Sequence, residues 1–78
     1  MAGALILIST KVGSMKKVAD TVKEMEGVEK TEMLTGLYDV MVVARAEKLS
    51  SISDILIEKI RNIEGVEDTV TNVFIEQD

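Results

Sequence analysis

The sequence predicts an α+β fold, a sandwich with the chain order strand–helix–strand–strand–helix–strand. Three observations point to it. The chain repeats itself: Met25-Glu26-Gly27-Val28-Glu29-Lys30-Thr31 recurs 38 residues later as Ile63-Glu64-Gly65-Val66-Glu67-Asp68-Thr69. The same offset pairs Val18 with Leu56, Val22 with Ile60, and the apolar run at Leu5 with that at Val43. Each copy carries an apolar stripe at helical spacing, and each opens with a strand-like apolar run and closes with a more polar one. Two copies cannot form a solenoid, which needs at least three units. They can form one βαββαβ sheet.

Ala4–Ser9 reads Ala-Leu-Ile-Leu-Ile-Ser, a short strand apolar on both faces. Thr10–Ser14 is a connector in which Gly13 supplies backbone freedom and Ser14 is the expected N-cap. Met15, Val18, Ala19, Val22 and Met25 then recur at helical spacing, with Lys16, Lys17, Asp20, Lys23 and Glu24 facing water. Gly27 stands where a left-handed C-cap is wanted, and β-branched Val28 starts the next strand. Val28–Thr35 is rich in polar residues and reads as an edge strand, followed by a turn at Gly36-Leu37.

Asp39–Ala46 is the second apolar strand, interrupted only by Arg45. Ser51-Ile52-Ser53-Asp54 has capping-box form. Ile52, Ile55, Leu56, Ile60 and Ile63 give the second helical stripe, with Glu58, Lys59 and Arg61 outside. Gly65 ends that helix as Gly27 ends the first, and Val66–Gln77 is the last strand region, with an irregular start.

Strand polarity sets the order. The first and third strands are apolar on both faces and belong at the centre; the second and fourth belong at the edges. Right-handed crossovers place both helices on one face, which is the ferredoxin-like arrangement in a single domain, residues 1–78. Leu5, Leu7, Met41, Val43 and Arg45 share one sheet face, and Ile6, Ile8, Val42, Ala44 and Ala46 share the other. The helices are expected over the second set, because a face containing Arg45 is harder to seal inside one chain. The first set is left bare, and an apolar sheet face is not left in water. A chain this short buries only about 60–70% of its unfolded surface. A second copy is the expected cover, sheet against sheet, giving a dimeric α+β barrel.

Composition narrows the function. There is no Cys and no His, hence no disulfide framework, no thiolate nucleophile and no common transition-metal ligand. The paired carboxylates Glu26/Glu29, Glu64/Glu67/Asp68 and Glu76/Asp78 fall at helix ends and edge turns, where water solvates them. No run of alternating oxygen ligands suits calcium. The expectation is no catalysis, no metal and no cofactor. Fourteen acidic residues against nine basic give a net charge of −5. That disfavours direct nucleic-acid binding, and with Tyr38 and Phe74 as the only aromatics the sheet lacks the stacking platform of an RNA reader. No apolar run approaches membrane-spanning length and no signal peptide is evident, so a cytoplasmic location is expected.

Met33-Leu34-Thr35-Gly36-Leu37-Tyr38-Asp39 joins the second strand to the third. On chemistry alone it is a hairpin turn in which Asp39 caps backbone amides. Its Thr35-Gly36-Leu37-Tyr38-Asp39 core resembles the signature turn of the effector-binding (RAM) domain of the Lrp/AsnC family of transcription regulators. The Glu-Gly-Val before each even strand and Thr69-Val70-Thr71 near the start of the fourth agree with it, so the resemblance spans the chain. Members of that family usually carry an N-terminal helix-turn-helix, for which 78 residues leave no room, so the chain resembles the stand-alone RAM proteins.

The resemblance implies a face-to-face dimer, often in rings of dimers, with a small amino acid bound between subunits. Thr35, Gly36, Tyr38 and Asp39 would frame that effector from one subunit, with Thr69 and Thr71 approaching from a neighbour. A zwitterion needs donors for its carboxylate and an acceptor for its ammonium; Asp39 is the candidate acceptor. Full-length Lrp/AsnC regulators are a further expected partner, either alongside an effector or as assembly partners without one. Two rival readings stay open. The Lys11-Val12-Gly13-Ser14-Met15 loop resembles the glycine loop of ACT amino-acid sensors. A small enzyme of the dimeric α+β barrel type would instead need a deep pocket of convergent polar groups.

Overall fold

The computed structural model describes residues 1–75. Strand β1 (Ala2–Thr10) leads to helix α1 (Met15–Lys23), then to strands β2 (Val28–Met33) and β3 (Val40–Ala46). A π-helical turn, Ser51–Leu56, runs directly into α2 (Ile57–Arg61), and β4 (Val66–Val73) closes the sheet. The order is β2-β3-β1-β4, every neighbouring pair antiparallel. The two apolar strands are central and the two polar ones are edges, as their composition demands. Gln77, the expected end of the last strand, and the Glu76/Asp78 pair lie outside the described residues.

Register assigns the faces. Ile6 lies opposite Val42, Ile8 opposite Val40 and Ala4 opposite Ala44. All six are fully buried beneath Val18, Ala19 and Val22 of α1 and Ile52, Leu56, Ile57 and Ile60 of the second helical segment. Each buried valine, leucine or isoleucine of this layer contributes about 1.5–3 kcal/mol by leaving water and the alanines less, so this one layer holds the sandwich together. Leu5, Leu7, Met41 and Val43 point the other way and remain half-buried, while Arg45 is exposed.

The internal repeat is a structural repeat down to single hydrogen bonds. Met25 N–H donates to Val22 O and Val28 N–H to Met25 O; 38 residues on, Ile63 donates to Ile60 and Val66 to Ile63. A bulge follows each Gly-Val, at Val28/Lys30 on β2 and opposite Ser9/Thr10 on β4. Gly27 and Gly65 both have positive φ, +91° and +102°. They are not the caps themselves. The helices end earlier, capped at Glu24 and Asn62, and the glycines turn the chain into the following strand.

The expected caps and the second stripe need correction. Ser14 precedes α1 but its side chain makes no capping hydrogen bond. It packs instead against Gly65, where an added Cβ would sit 2.7 Å from Ser14 Cβ. The capping box at Ser51–Asp54 does not form either. Ser53 Oγ donates to Leu49 O at 3.3 Å and lies 3.2 Å from Asp54 Oδ1, and the segment is π-helical, with Ile57 N–H reaching back five residues to Ile52 O. The wider turn rotates the following residues. Ile52, Leu56 and Ile57 are buried, whereas Ile55, expected in the stripe, is 55% exposed.

Candidate functional site

Six residues, Leu34 to Asp39, link β2 to β3, and the link is tied at both ends. Leu34 N–H donates to Asp39 O at 2.8 Å, which closes the turn, and Asp39 N–H donates to Ile8 O at 2.9 Å, which anchors it to β1. The carboxylate adds a third tie: Asp39 Oδ2 accepts from Thr10 N–H at 2.7 Å and from Thr10 Oγ1–H at 3.2 Å. Asp39 therefore caps the end of β1. Oδ1 accepts no hydrogen bond among the described residues.

Within this frame Thr35, Gly36 and Leu37 are exposed, and Tyr38 and Asp39 half-buried. Gly36 has φ +132°, a conformation that side chains rarely adopt, yet a Cβ there would meet nothing within 4 Å. Glycine is needed at this position for backbone shape, with open space around it.

Thr69 and Thr71 lie across β1 from the turn. Ile8 has Val40 on one side and Thr69 on the other, while Ile6 has Thr71. Register thus directs both threonines to the helix side of the sheet, Thr69 half-buried and Thr71 exposed. Within one chain the loop and the threonines flank the same stretch of β1 without meeting. The connector at Gly13, with φ +86° and no atom within 4 Å of an added Cβ, is a turn closed by Ser14 N–H to Lys11 O at 2.9 Å.

The helix-free face holds Leu5, Leu7, Met41 and Val43, with Arg45 at its end. Arg45 Nε lies 3.3 Å from Glu29 Oε1, and its guanidinium carbon 5.5 Å from the centre of the Phe74 ring. Beneath them is Gly3, where a Cβ would come within 2.7 Å of Arg45 Nη1 and 2.9 Å of Phe74 Cδ2. Sequence reasoning missed Thr10 as the partner of Asp39, and Gly3 as the floor for Arg45 and Phe74. Both are long-range contacts created by register, with no local signal. It also missed a cleft of about 340 Å³ at the opposite end of the sheet, beside the π-helical turn. Among the described residues no three acidic side chains converge as a metal site, and no helix is long and apolar enough to cross a membrane.

Comparison with known proteins places the chain. The family model described as the Lrp/AsnC ligand binding domain matches residues 3–77. An uncharacterized HTH-type transcriptional regulator of Pyrococcus furiosus is 35% identical over 60 residues, covering 77% of this chain and 40% of that protein. The chain spans less than half the length of the curated relatives it matches. A solved hypothetical protein of Pyrococcus horikoshii superposes with a TM-score of 0.88 at 27% identity, over 99% of this chain and 93% of that one. A transcriptional regulator of Neisseria meningitidis, solved as its complex with L-Met, gives 0.82 at 19% identity, over 97% of this chain and 51% of that one. The last likeness is one of fold. The βαββαβ order is common to the ACT alternative, and the family match decides between them: this chain belongs to the Lrp/AsnC ligand-binding domain family of transcription regulators.

Proposed function

We propose that this domain is an amino-acid sensor whose effector sits on the Thr35–Asp39 turn and is completed by Thr69 and Thr71 of a neighbouring subunit. The observation that carries this reading is the state of Asp39. One carboxylate oxygen is held by the backbone and hydroxyl of Thr10, which fixes the group, and the other has no hydrogen bond among the described residues. A fixed, half-buried carboxylate is a natural acceptor for an α-ammonium. The neighbouring backbone at Gly36, open and free of side-chain cover, leaves amides accessible to a carboxylate. The Neisseria regulator bound to L-Met is the same fold with an amino acid as ligand. Val12 and Leu37, both fully exposed apolar side chains on loops at this end of the sheet, suit a site that a further subunit closes.

Dimerisation through Leu5, Leu7, Met41, Val43 and Arg45 belongs to the same reading, as does pairing with full-length regulators. In this reading the domain performs no catalysis; it binds an effector and transmits its presence through assembly. Calorimetric titration with each of the amino acids, on protein whose mass is fixed by light scattering, tests it. Gly36→Val is expected to abolish the response to the effector and leave a folded assembly, because the turn lies outside the sheet face. The strain of a branched residue at φ +132° should lower stability by about 1–3 kcal/mol at most. An effector response retained in full by that variant places the ligand elsewhere.

A further inference from the structure

The two helices are pinned together at one end only. There Lys11 N–H donates to Gly65 O at 2.8 Å, the absent side chain of Gly65 lets Ser14 approach, and Lys17 Nζ lies 3.3 Å from Glu64 Oε1. At the other end, among the described residues, no hydrogen bond or ion pair joins the turn after α1 to the segment from Lys48 to Lys59. The cleft of about 340 Å³ opens there, at the far end of the sheet from the Thr35–Asp39 turn. Its volume stands at the lower end of the range for small-molecule sites. One wall is the π-helical turn itself, a widened helical geometry that recurs at functional sites.

The lining divides by chemistry. Ile52, Ile55 and Leu56 form an apolar wall; Lys59, Glu26 and Glu47 supply one cation and two anions, all on exposed residues. None of these three charges is in an ion pair among the described residues, whereas Arg45, which also borders the cleft, is already bonded to Glu29. A bare carboxylate ligand would meet two like charges and a wholly apolar one would pair with none of the three, whereas a ligand carrying both signs and an apolar group matches the whole lining. We infer that this cleft is a second small-molecule site, for an apolar α-amino acid. Its ammonium lies towards Glu26 and Glu47, its carboxylate towards Lys59, and its side chain against the isoleucine–leucine wall.

Three probes of one shape separate the charges: leucine, isoamylamine, which lacks the carboxylate, and 4-methylpentanoate, which lacks the ammonium. Amide NMR titrations of the intact chain report the cleft and the Thr35–Asp39 turn separately, because the two lie at opposite ends of the sheet. Leucine should give saturable shifts at Gly27, Ile52, Ile55 and Lys59, with isoamylamine weaker and 4-methylpentanoate weakest. Lys59→Gln should weaken leucine by roughly tenfold, the loss of one charged hydrogen bond, and leave isoamylamine unchanged. Glu26→Gln combined with Glu47→Gln should weaken both. Shifts confined to the Thr35–Asp39 turn, isoamylamine binding as tightly as leucine, or an unaltered leucine affinity in Lys59→Gln would each overturn the assignment. The substituted side chains are exposed, so the fold is not at stake, and effector binding at the turn stands or falls on its own shifts.

Discussion

Asp39 ties the β2–β3 turn to the neighbouring strand through a single oxygen, which makes this capping role separable from the proposed effector contact through the other. Removing the side chain in Asp39→Ala leaves the Thr10 amide and hydroxyl without their acceptor. For a half-buried charged hydrogen bond the loss is about 1.5–3 kcal/mol. Asp39→Asn keeps an oxygen for Thr10 but discards the charge. It should therefore melt close to the parent protein while losing the effector-induced rise in melting temperature. Thermal melts of both variants, with and without the effector, read the two roles apart. An effector shift that survives in Asp39→Asn assigns the residue to capping alone. Sequence alone offered both roles for Asp39 and could not name its partner, because Thr10 is 29 residues away and meets it only through the β1–β3 register.

At the scale of elements, apolar periodicity and the 38-residue repeat carried nearly everything that the sheet needed. Apolar-on-both-faces strands became the centre, polar strands the edges, and the two glycines recur with equivalent turns, bulges and hydrogen bonds. The second helical segment is where periodicity misled. A stripe read at 3.6 residues per turn includes Ile55 and excludes Ile57, but the π-helical turn advances the chain by an extra residue and reverses their roles. No local sequence signal marks such a turn, from which Ile52 and Leu56 reach into the core over the sheet. The reversal is measurable. Ile57→Ala, which empties a buried position, should cost about 2–5 kcal/mol. Ile55→Ala, more than half exposed, should stay within about 0.5 kcal/mol. Denaturant unfolding of the two variants checks this, and equal losses would argue for a regular α-helix there.

At the scale of the whole molecule, net charge and the open sheet face govern what the domain meets. With fourteen acidic residues against nine basic, the 78-residue chain has little with which to neutralise phosphates, the term that supplies most non-specific DNA affinity. Mobility-shift titrations at physiological salt should show no duplex binding, and submicromolar binding would contradict this. The open face calls for a sharper test, because its positions are not equivalent. Val43 lies between Leu5 on β1 and Lys30 on β2, so an aspartate placed there has a cation next to it. Leu7 lies between Met41 and Val70, with no cation beside it in the ladder. An aspartate at position 7 would stay unpaired if a second sheet covered the face, and an unpaired buried charge is strongly destabilising. Leu7→Asp should therefore dissociate the proposed dimer, while Val43→Asp, partly compensated by Lys30, should weaken it less. The helix-side layer that holds each chain together is untouched in both. Sedimentation or light scattering across a concentration series gives the two dissociation constants. A Leu7→Asp protein with unchanged assembly mass would mean that this face is not where two copies meet.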